Sequence, residues 1–328
     1  MAYNIAKRIL VLKREAVAGT AETLADADFD VRMRGSEFTP DIQGGDEDSK
    51  FTTGDYGEDT AISGIRGANA TSETKLASAS ALDSAPKFGK NLETCGLVGE
   101  SFLGVGYGYQ PLQSGDKQTS TLSKIDISDD GTPVGIEDKT AGVMGNLTLS
   151  AEGVGSPIKL GYEWKGKFDS VSDVANGSIL ALTSPDTTIG AKLMNGTATF
   201  GGVSMCLQSF SLNVGNTIEY LPCPSEASGI LYASITNRQP RLTLTLLAPP
   251  TSSISPFADV TTETESALLL TFGDWSLKVP RGQVLSYSQT DLNGRLGYEL
   301  SVKLNRNSGA DVSVADESTF QLLQGAIV

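Results

Sequence analysis

Apolar and polar residues alternate strictly over two stretches far apart in the chain. In the first, Leu160, Tyr162, Trp164 and Phe168 share one face and Lys159, Glu163, Lys165 and Lys167 the other. In the second, Leu296, Tyr298, Leu300, Val302 and Leu304 lie opposite Arg295, Glu299, Ser301 and Lys303. A period of two is that of a strand with one face in a core. Both stretches begin with Leu-Gly-Tyr-Glu, and other elements recur in the same order. Ile65 to Leu76 reads like Ile235 to Leu246, and each is followed by a proline and an aromatic at a short helix, Pro86 with Phe88 and Pro256 with Phe257. The ordered recurrence predicts a mainly β protein made of two tandem β-sandwich or barrel domains, each with a short flanking helix. The expected boundaries are 1–175 and 196–328, with 176–195 as connection. The spacing between copies shrinks before the second Leu-Gly-Tyr-Glu, which places an inserted polar loop at 113–142 of the first copy. The last residues, from Asn305 on, lose the strict period and are expected to form a C-terminal arm.

Elsewhere the pattern predicts a first strand over 5–14 and a second within 25–39, where Phe29, Val31 and Met33 alternate with Asp30, Arg32 and Arg34. Asp41 to Thr60 is rich in Gly, Asp and Glu without period and reads as a long exposed loop. A short helix is expected around Asn91 to Val98. The clearest hairpin runs from Ser204 to Leu247. Phe210, Leu212, Val214, Ile218 and Tyr220 line one face of its first strand, and Ser209, Ser211, Asn213, Thr217 and Glu219 the other. Its partner alternates Leu242, Leu244 and Leu246 with Thr243 and Thr245.

Composition narrows the function. At 328 residues the chain can bury two cores, and 36 glycines suit a turn-rich β protein. The formal charge of −14, concentrated in runs such as Asp46-Glu47-Asp48 and Glu58-Asp59, repels phosphate and argues against tight nucleic-acid binding. Three widely spaced cysteines suggest reduced thiols in a protein assembled in the cytoplasm rather than a disulfide frame. The apolar run Ile9 to Leu12 is flanked by cations and is too short to span a membrane or serve as a signal core.

The motifs that carry chemistry elsewhere are weak here. Asp126 to Glu137 matches the ligand spacing of a helix–loop–helix calcium site, but its flanks are β-like and glycine-broken, so a turn is expected and no metal. Ser72 and Lys75 match SxxK in a segment that reads as strand. Gly104, Gly106 and Gly108 lack the spacing and following helix of a nucleotide loop. With no histidine in the chain, Ser-His-Asp and Cys-His catalysis are impossible. A carboxylate pair alone would need a cleft with aromatic platforms, and Trp164 sits on an apolar strand face. Neither enzyme nor cofactor is expected.

Several fragments together resemble the major tail tube proteins of long non-contractile-tailed bacteriophages. They are Lys13-Arg14-Glu15 with Gly19-Thr20-Ala21-Glu22, Ile62-Ser-Gly64-Ile-Arg66-Gly, Gly145-Asn-Leu-Thr-Leu149 leading to Leu160-Gly-Tyr-Glu-Trp-Lys-Gly166, and Ser209-Phe-Ser-Leu-Asn-Val-Gly215-Asn with Ile235-Thr-Asn-Arg238. The resemblance implies a structural virion protein whose rings stack into a tube, a conduit for genome ejection. It implies partners in further copies of the chain, in tape measure, terminator and distal tail proteins, and in DNA that passes without sticking. If the chain holds two tube domains, a trimer gives a pseudo-sixfold ring; a one-domain hexamer is the alternative. The protein would be assembled in the host cytoplasm and reside in the virion tail, away from membranes. Under this reading Ser209, Ser211, Asn213, Thr217, Glu219, Thr243 and Thr245 face the lumen. Asp46, Glu47, Asp48, Asp55, Glu58 and Asp59 belong to a loop that contacts the next ring. A rival of another class is a baseplate, distal-tail or fibre module that binds a receptor or sugar through an aromatic patch.

Overall fold

The computed structural model describes residues 3–25, 28, 33–45, 62–79, 81–102, 106–111, 118–128, 135–174, 190–194, 196–248, 255–308 and 318–325. The fold is mainly β, with large antiparallel sheets and two short helices among the described residues.

The first half contains strands β1 (Tyr3–Arg14), β2 (Met33–Gly45) and β3 (Ile62–Lys75), helix α1 (Gly89–Thr94), the hairpin β4 (Leu97–Phe102) and β5 (Gly106–Pro111), then β6 (Ser120–Ser128), β7 (Gly135–Ala151) and β8 (Lys159–Val174). Six of these strands close on themselves: β7 pairs β6, followed by β1, β2, β3 and β8, and β8 pairs β7 again. Closure rests on a narrow seam, where β1 meets β2 only at Ile9↔Arg34 and Leu10↔Met33. Alternate residues of each strand meet in the core, among them Leu12, Leu122, Leu147, Leu149, Leu160, Tyr162 and Trp164. Trp164 donates its indole N–H to Ser72 Oγ at 2.7 Å, so the serine of the SxxK match is buried and serves the core.

The second half contains β9 (Ala198–Phe200), β10 (Val203–Ser204), β11 (Leu207–Asn213), β12 (Asn216–Pro222), β13 (Ile230–Arg238), β14 (Arg241–Leu247), α2 (Pro256–Thr262), β15 (Glu265–Phe272), β16 (Trp275–Asp291), β17 (Leu296–Asn305) and β18 (Gln321–Gly325). Its strands lie in the order β9, β15, β16, β17, β14, β11. This is the order of β1, β6, β7, β8, β3 and β2 in the first half, except that β9 and β11 do not pair and the second sheet stays open. Tyr162 on β8 and Tyr298 on β17 both occupy the third strand of a meander and both are buried. Tyr162 lies opposite Leu147, and Tyr298 opposite Gln289. The helices keep their place, α1 after β3 and α2 after its counterpart β14. α1 ends at Thr94, four residues before the expected end at Val98, and Gly96 just beyond it takes a positive φ of 75°. α2 starts with Pro256 in its first turn and the Ser255 side chain accepting the Ala258 N–H.

Three expectations need correction. The stretch 113–142 is no loop insertion across its described part: β6 and the start of β7 form barrel wall, paired with β1 and β8. Its polar residues are accommodated because Glu15, although buried, accepts hydrogen bonds from Thr119 (2.6 Å), Thr121 (3.0 Å) and the backbone N–H groups of Gly19 (2.8 Å) and Gly142 (2.7 Å). The element of the first half without a counterpart is the β4–β5 hairpin. Secondly, the sheet does not break between the halves, because β11 pairs β7 through Phe210↔Ala151, Ser211↔Ser150, Leu212↔Leu149 and Asn213↔Thr148. The hydrophobic core likewise runs through both halves. Thirdly, the end of the chain is not a free arm over its described residues: β18 is inserted between β16 and β5, with Phe320 and Leu322 buried. The calcium-like match needs no correction on its flanks: Asp126 and Glu137 lie in the paired strands β6 and β7, and residues 129–134, where a turn was expected, lie outside the described residues.

Candidate assembly surface

The pairing of β11 with β7 aligns the outward-facing residues of five strands. Ser150 on β7, Ser211 on β11, Thr243 on β14, Ser301 on β17 and Ser286 on β16 are successive cross-strand neighbours and form one row of hydroxyls. A second row runs Ser209, Thr245, Glu299, Ser288. The facing side of these strands carries Phe210, Leu212, Leu242, Leu244, Leu300 and Val302, all buried. Period two thus yields a sheet with an apolar core face and an outer face of small polar groups with little charge. Two cations stand at its margin, where Arg241 lies opposite Lys303 beside Asn213.

Five of the seven residues expected on one lumen face, Ser209, Ser211, Asn213, Thr243 and Thr245, do share this sheet. Thr217 and Glu219 do not. The expected single long hairpin breaks at Val214-Gly215 and Gln239-Pro240, and β12 and β13 form a separate two-stranded sheet. Gly215 has φ +67°, and a Cβ there would stand 2.2 Å from the Gln239 carbonyl oxygen, so the break requires glycine. Asn213 fixes it by accepting the Gly215 N–H at 2.7 Å. Beyond the break the hairpin lies across the first half, packing Ile218, Tyr220, Ala233 and Ile235 around Met144, with the Lys165 ammonium 4.4 Å from the Tyr220 ring centroid. Thr217 and Glu219 are left exposed on its other side. Sequence reading missed Ser150, Ser286, Ser288 and Ser301. Their alternation with Leu149, Tyr287 and Leu300 was visible, but which strands stand side by side was not.

A polar latch holds the seam. Asn216 donates its backbone N–H to Asn146 Oδ1 at 3.0 Å and its side-chain amide to the carbonyls of Cys95 (2.7 Å) and Gly145 (2.9 Å). Arg238 donates to Asn216 Oδ1 at 2.9 Å and to the Gly96 carbonyl at 2.8 Å. A Cβ on Gly96 would stand 2.4 Å from the Arg238 guanidinium, which keeps that position glycine. On the far wall of the barrel Asp126 accepts from Arg8 at 2.9 Å and pairs with Lys124 at 3.0 Å. Partial burial opposes its charge, but the hydrogen bonds from the two cations outweigh that and hold its carboxyl below the usual range.

The sheet ends in two open edges. On β2, β1 covers only Met33 and Arg34, so the stretch from Gly35 to Gly45 has β3 on one side and no partner on the other among the described strands. On β16, β15 pairs no further than Gln283, so among the described strands Leu285 to Asp291 has only β17. Leu285 and Tyr287 are exposed there. A pocket of about 340 Å³ between the first half and β12 is lined by Asn69, Thr71, Asn146, Glu163, Lys165 and Asn216 among others, with one carboxylate in its wall. Glu163 accepts there from Asn146 at 3.3 Å. Asp46, Glu47, Asp48, Asp55, Glu58 and Asp59 lie outside the described residues. Among the described residues no helix is long and apolar enough to cross a membrane. No known family model matches the chain, and neither does any curated protein.

Proposed function

We propose that this chain is a structural virion protein whose rings stack into the tail tube of a phage, through which the genome leaves. The observation that carries this reading is the doubled strand order, which lays β16, β17, β14, β11, β7, β8, β3 and β2 side by side, with Leu285 to Asp291 of β16 and Gly35 to Gly45 of β2 lacking a second neighbour among the described strands. Two copies of one tube domain fused edge to edge would have this order. Open strand edges are an aggregation hazard in a monomer and a joint in a ring. The polar outer face suits a wall beside DNA, since hydroxyls and few cations give phosphate little to hold. Lys159 on β8, directly opposite Ser150 and paired with Glu152, continues the hydroxyl row, and Glu299, Arg241 and Lys303 stand beside it.

Three such chains would supply the wall of a pseudo-sixfold ring. With eight strands from each chain at ~4.8 Å spacing, the backbone circle would measure ~37 Å across before strand tilt widens it. Negative-stain electron microscopy of the purified protein tests the reading. Rings or tubes with a central channel of that order are expected. A protein that remains monomeric at every concentration, or that binds glycans through an exposed site, belongs to another class.

A further inference from the structure

Arg241 on β14 and Lys303 on β17 are directly opposite cross-strand neighbours. Both side chains lie on the outer face, because Leu242 beside the first and Val302 and Leu304 on either side of the second are buried. Like charges opposite each other on adjacent strands repel and weaken a sheet. Among the described residues no carboxylate pairs with either cation. Their row runs Glu265, Gln283, Lys303, Arg241, Asn213, Thr148 from β15 to β7. Its carboxylate, Glu265, stands two strands from Lys303 and is already engaged, accepting from Arg281 Nε and Asn305 Nδ2, each at 2.6 Å. The Arg241 Nη1 atom is also shielded from solvent and donates to no acceptor among the described residues. A guanidinium N–H buried in this way is costly, and native folds keep such groups where a ligand or ion can satisfy them.

We propose that Arg241 and Lys303 form a phosphate site, with the anion seated between the two side chains on the outer face of β14 and β17. The planar fork of Arg241 matches two phosphate oxygens, and Lys303 serves as a point charge on a third. On the next rung Thr243 and Ser301, also directly opposite each other, carry hydroxyls that can donate to the same anion. Asn213 flanks Arg241; its Oδ1 accepts the Gly215 N–H at 2.7 Å and the Asn146 amide at 3.1 Å, which leaves Nδ2 to donate. Donors from two rungs of the sheet thus converge on one place, which suits a tetrahedral oxyanion better than a planar carboxylate. Binding would draw the guanidinium off the sheet, give Nη1 an acceptor and cancel the repulsion from Lys303. The site stands independently of ring assembly. Its phosphate is either a free anion or, where this face lines a channel, part of a nucleic-acid backbone.

Calorimetric titration of the full chain with inorganic phosphate at low ionic strength tests the site. Saturable binding is expected, weakened at least ~10-fold in Arg241→Gln and in Lys303→Gln. It should be unchanged in Arg295→Gln, which alters an exposed cation at the turn between β16 and β17. Arg241→Lys keeps the charge without the fork and should fall between. Phosphate should raise the melting temperature of the parent chain and not that of Arg241→Gln. In the absence of phosphate, Arg241→Gln should melt no lower than the parent, because it removes an unpaired cation. A short DNA duplex whose binding falls with Arg241→Gln identifies the backbone phosphate as the source; phosphate binding without that effect identifies the free anion. No saturable phosphate binding, equal binding by Arg241→Gln, or displacement of phosphate by acetate at the same concentration overturns the site. Each of those results leaves the tube reading to be decided by electron microscopy.

Discussion

Asn146 on β7 accepts the backbone N–H of Asn216 across the line where the two halves meet, and the Asn216 side chain reaches past it to two main-chain carbonyls. Removing that amide takes an acceptor from Arg238 Nε and a donor from both carbonyls. Asn216→Ala should therefore destabilise the fold by ~1–3 kcal/mol, the range for buried polar groups left unpaired. Urea unfolding should show a lower midpoint with an unchanged slope. A loss of less than ~0.5 kcal/mol, within the usual range of surface substitutions, would mean that water replaces the latch.

The strands on either side of this latch were readable from alternation, and so were the two helices with their proline and aromatic signals. Its location was not. Period two tells which face of β7 or β11 is buried, but β11 pairs β7 across some sixty residues, from Ala151 to Phe210, and no local pattern encodes such a contact. The polar stretch before β7 misled for another reason: Thr119 and Thr121 look like loop residues until Glu15, over a hundred positions away, supplies their acceptor. The break at Gly215 could have been suspected from Val-Gly-Asn, but the period continues through it in register, so Thr217 and Glu219 appeared to share a face with Ser209.

Acid should weaken the barrel wall at Asp126. Its carboxyl titrates below the ordinary value of ~3.9, so its contribution is complete above that pH and disappears as pH falls towards the lower folded value. Asp126→Asn should be less stable than the parent protein at pH 6 to 7, and the gap should narrow steadily below pH ~4. A difference independent of pH would assign the effect to packing and not to the pairing with Arg8 and Lys124.

The three thiols should label in a fixed order. Burial pushes the Cys95 thiol far up, against a small opposing effect of Arg238. Cys223 is lowered by the hydroxyl and backbone of Ser225, with Sγ 3.1 Å from Ser225 Oγ, and Cys206 is exposed. Under native conditions an alkylating reagent should take Cys223 first, Cys206 next, and Cys95 only once denaturant opens the core. Mass spectrometry of the digested protein reads this directly. Early labelling at Cys95 would mean that α1 and β7 separate readily.

The hydroxyl rows offer the most direct access to passage through a tube. Ser211→Lys with Thr243→Lys places two cations at the centre of the polar face, where each phosphate contact adds a salt-dependent attraction. Tubes should still form, while genome ejection slows and recovers as ionic strength rises. Thr217→Lys with Glu219→Lys, on the separate hairpin, serves as the comparison. Ejection at the normal rate from the Ser211 and Thr243 variant would place that face away from the DNA.

The strand β18 sets a timetable for the molecule. Leu322 pairs with Tyr109, 213 positions earlier, and β18 also covers the start of β16. Until β18 has emerged from the ribosome, the β5 edge waits without its partner. A chain rich in such distant pairings folds slowly and holds sticky edges while it does so. Because β18 ties the first half to the second, a nascent chain that joined its neighbours early would do so with its own sheet incomplete. β18 thus works as a completion signal, delaying a finished β16 until both halves of the sheet are present.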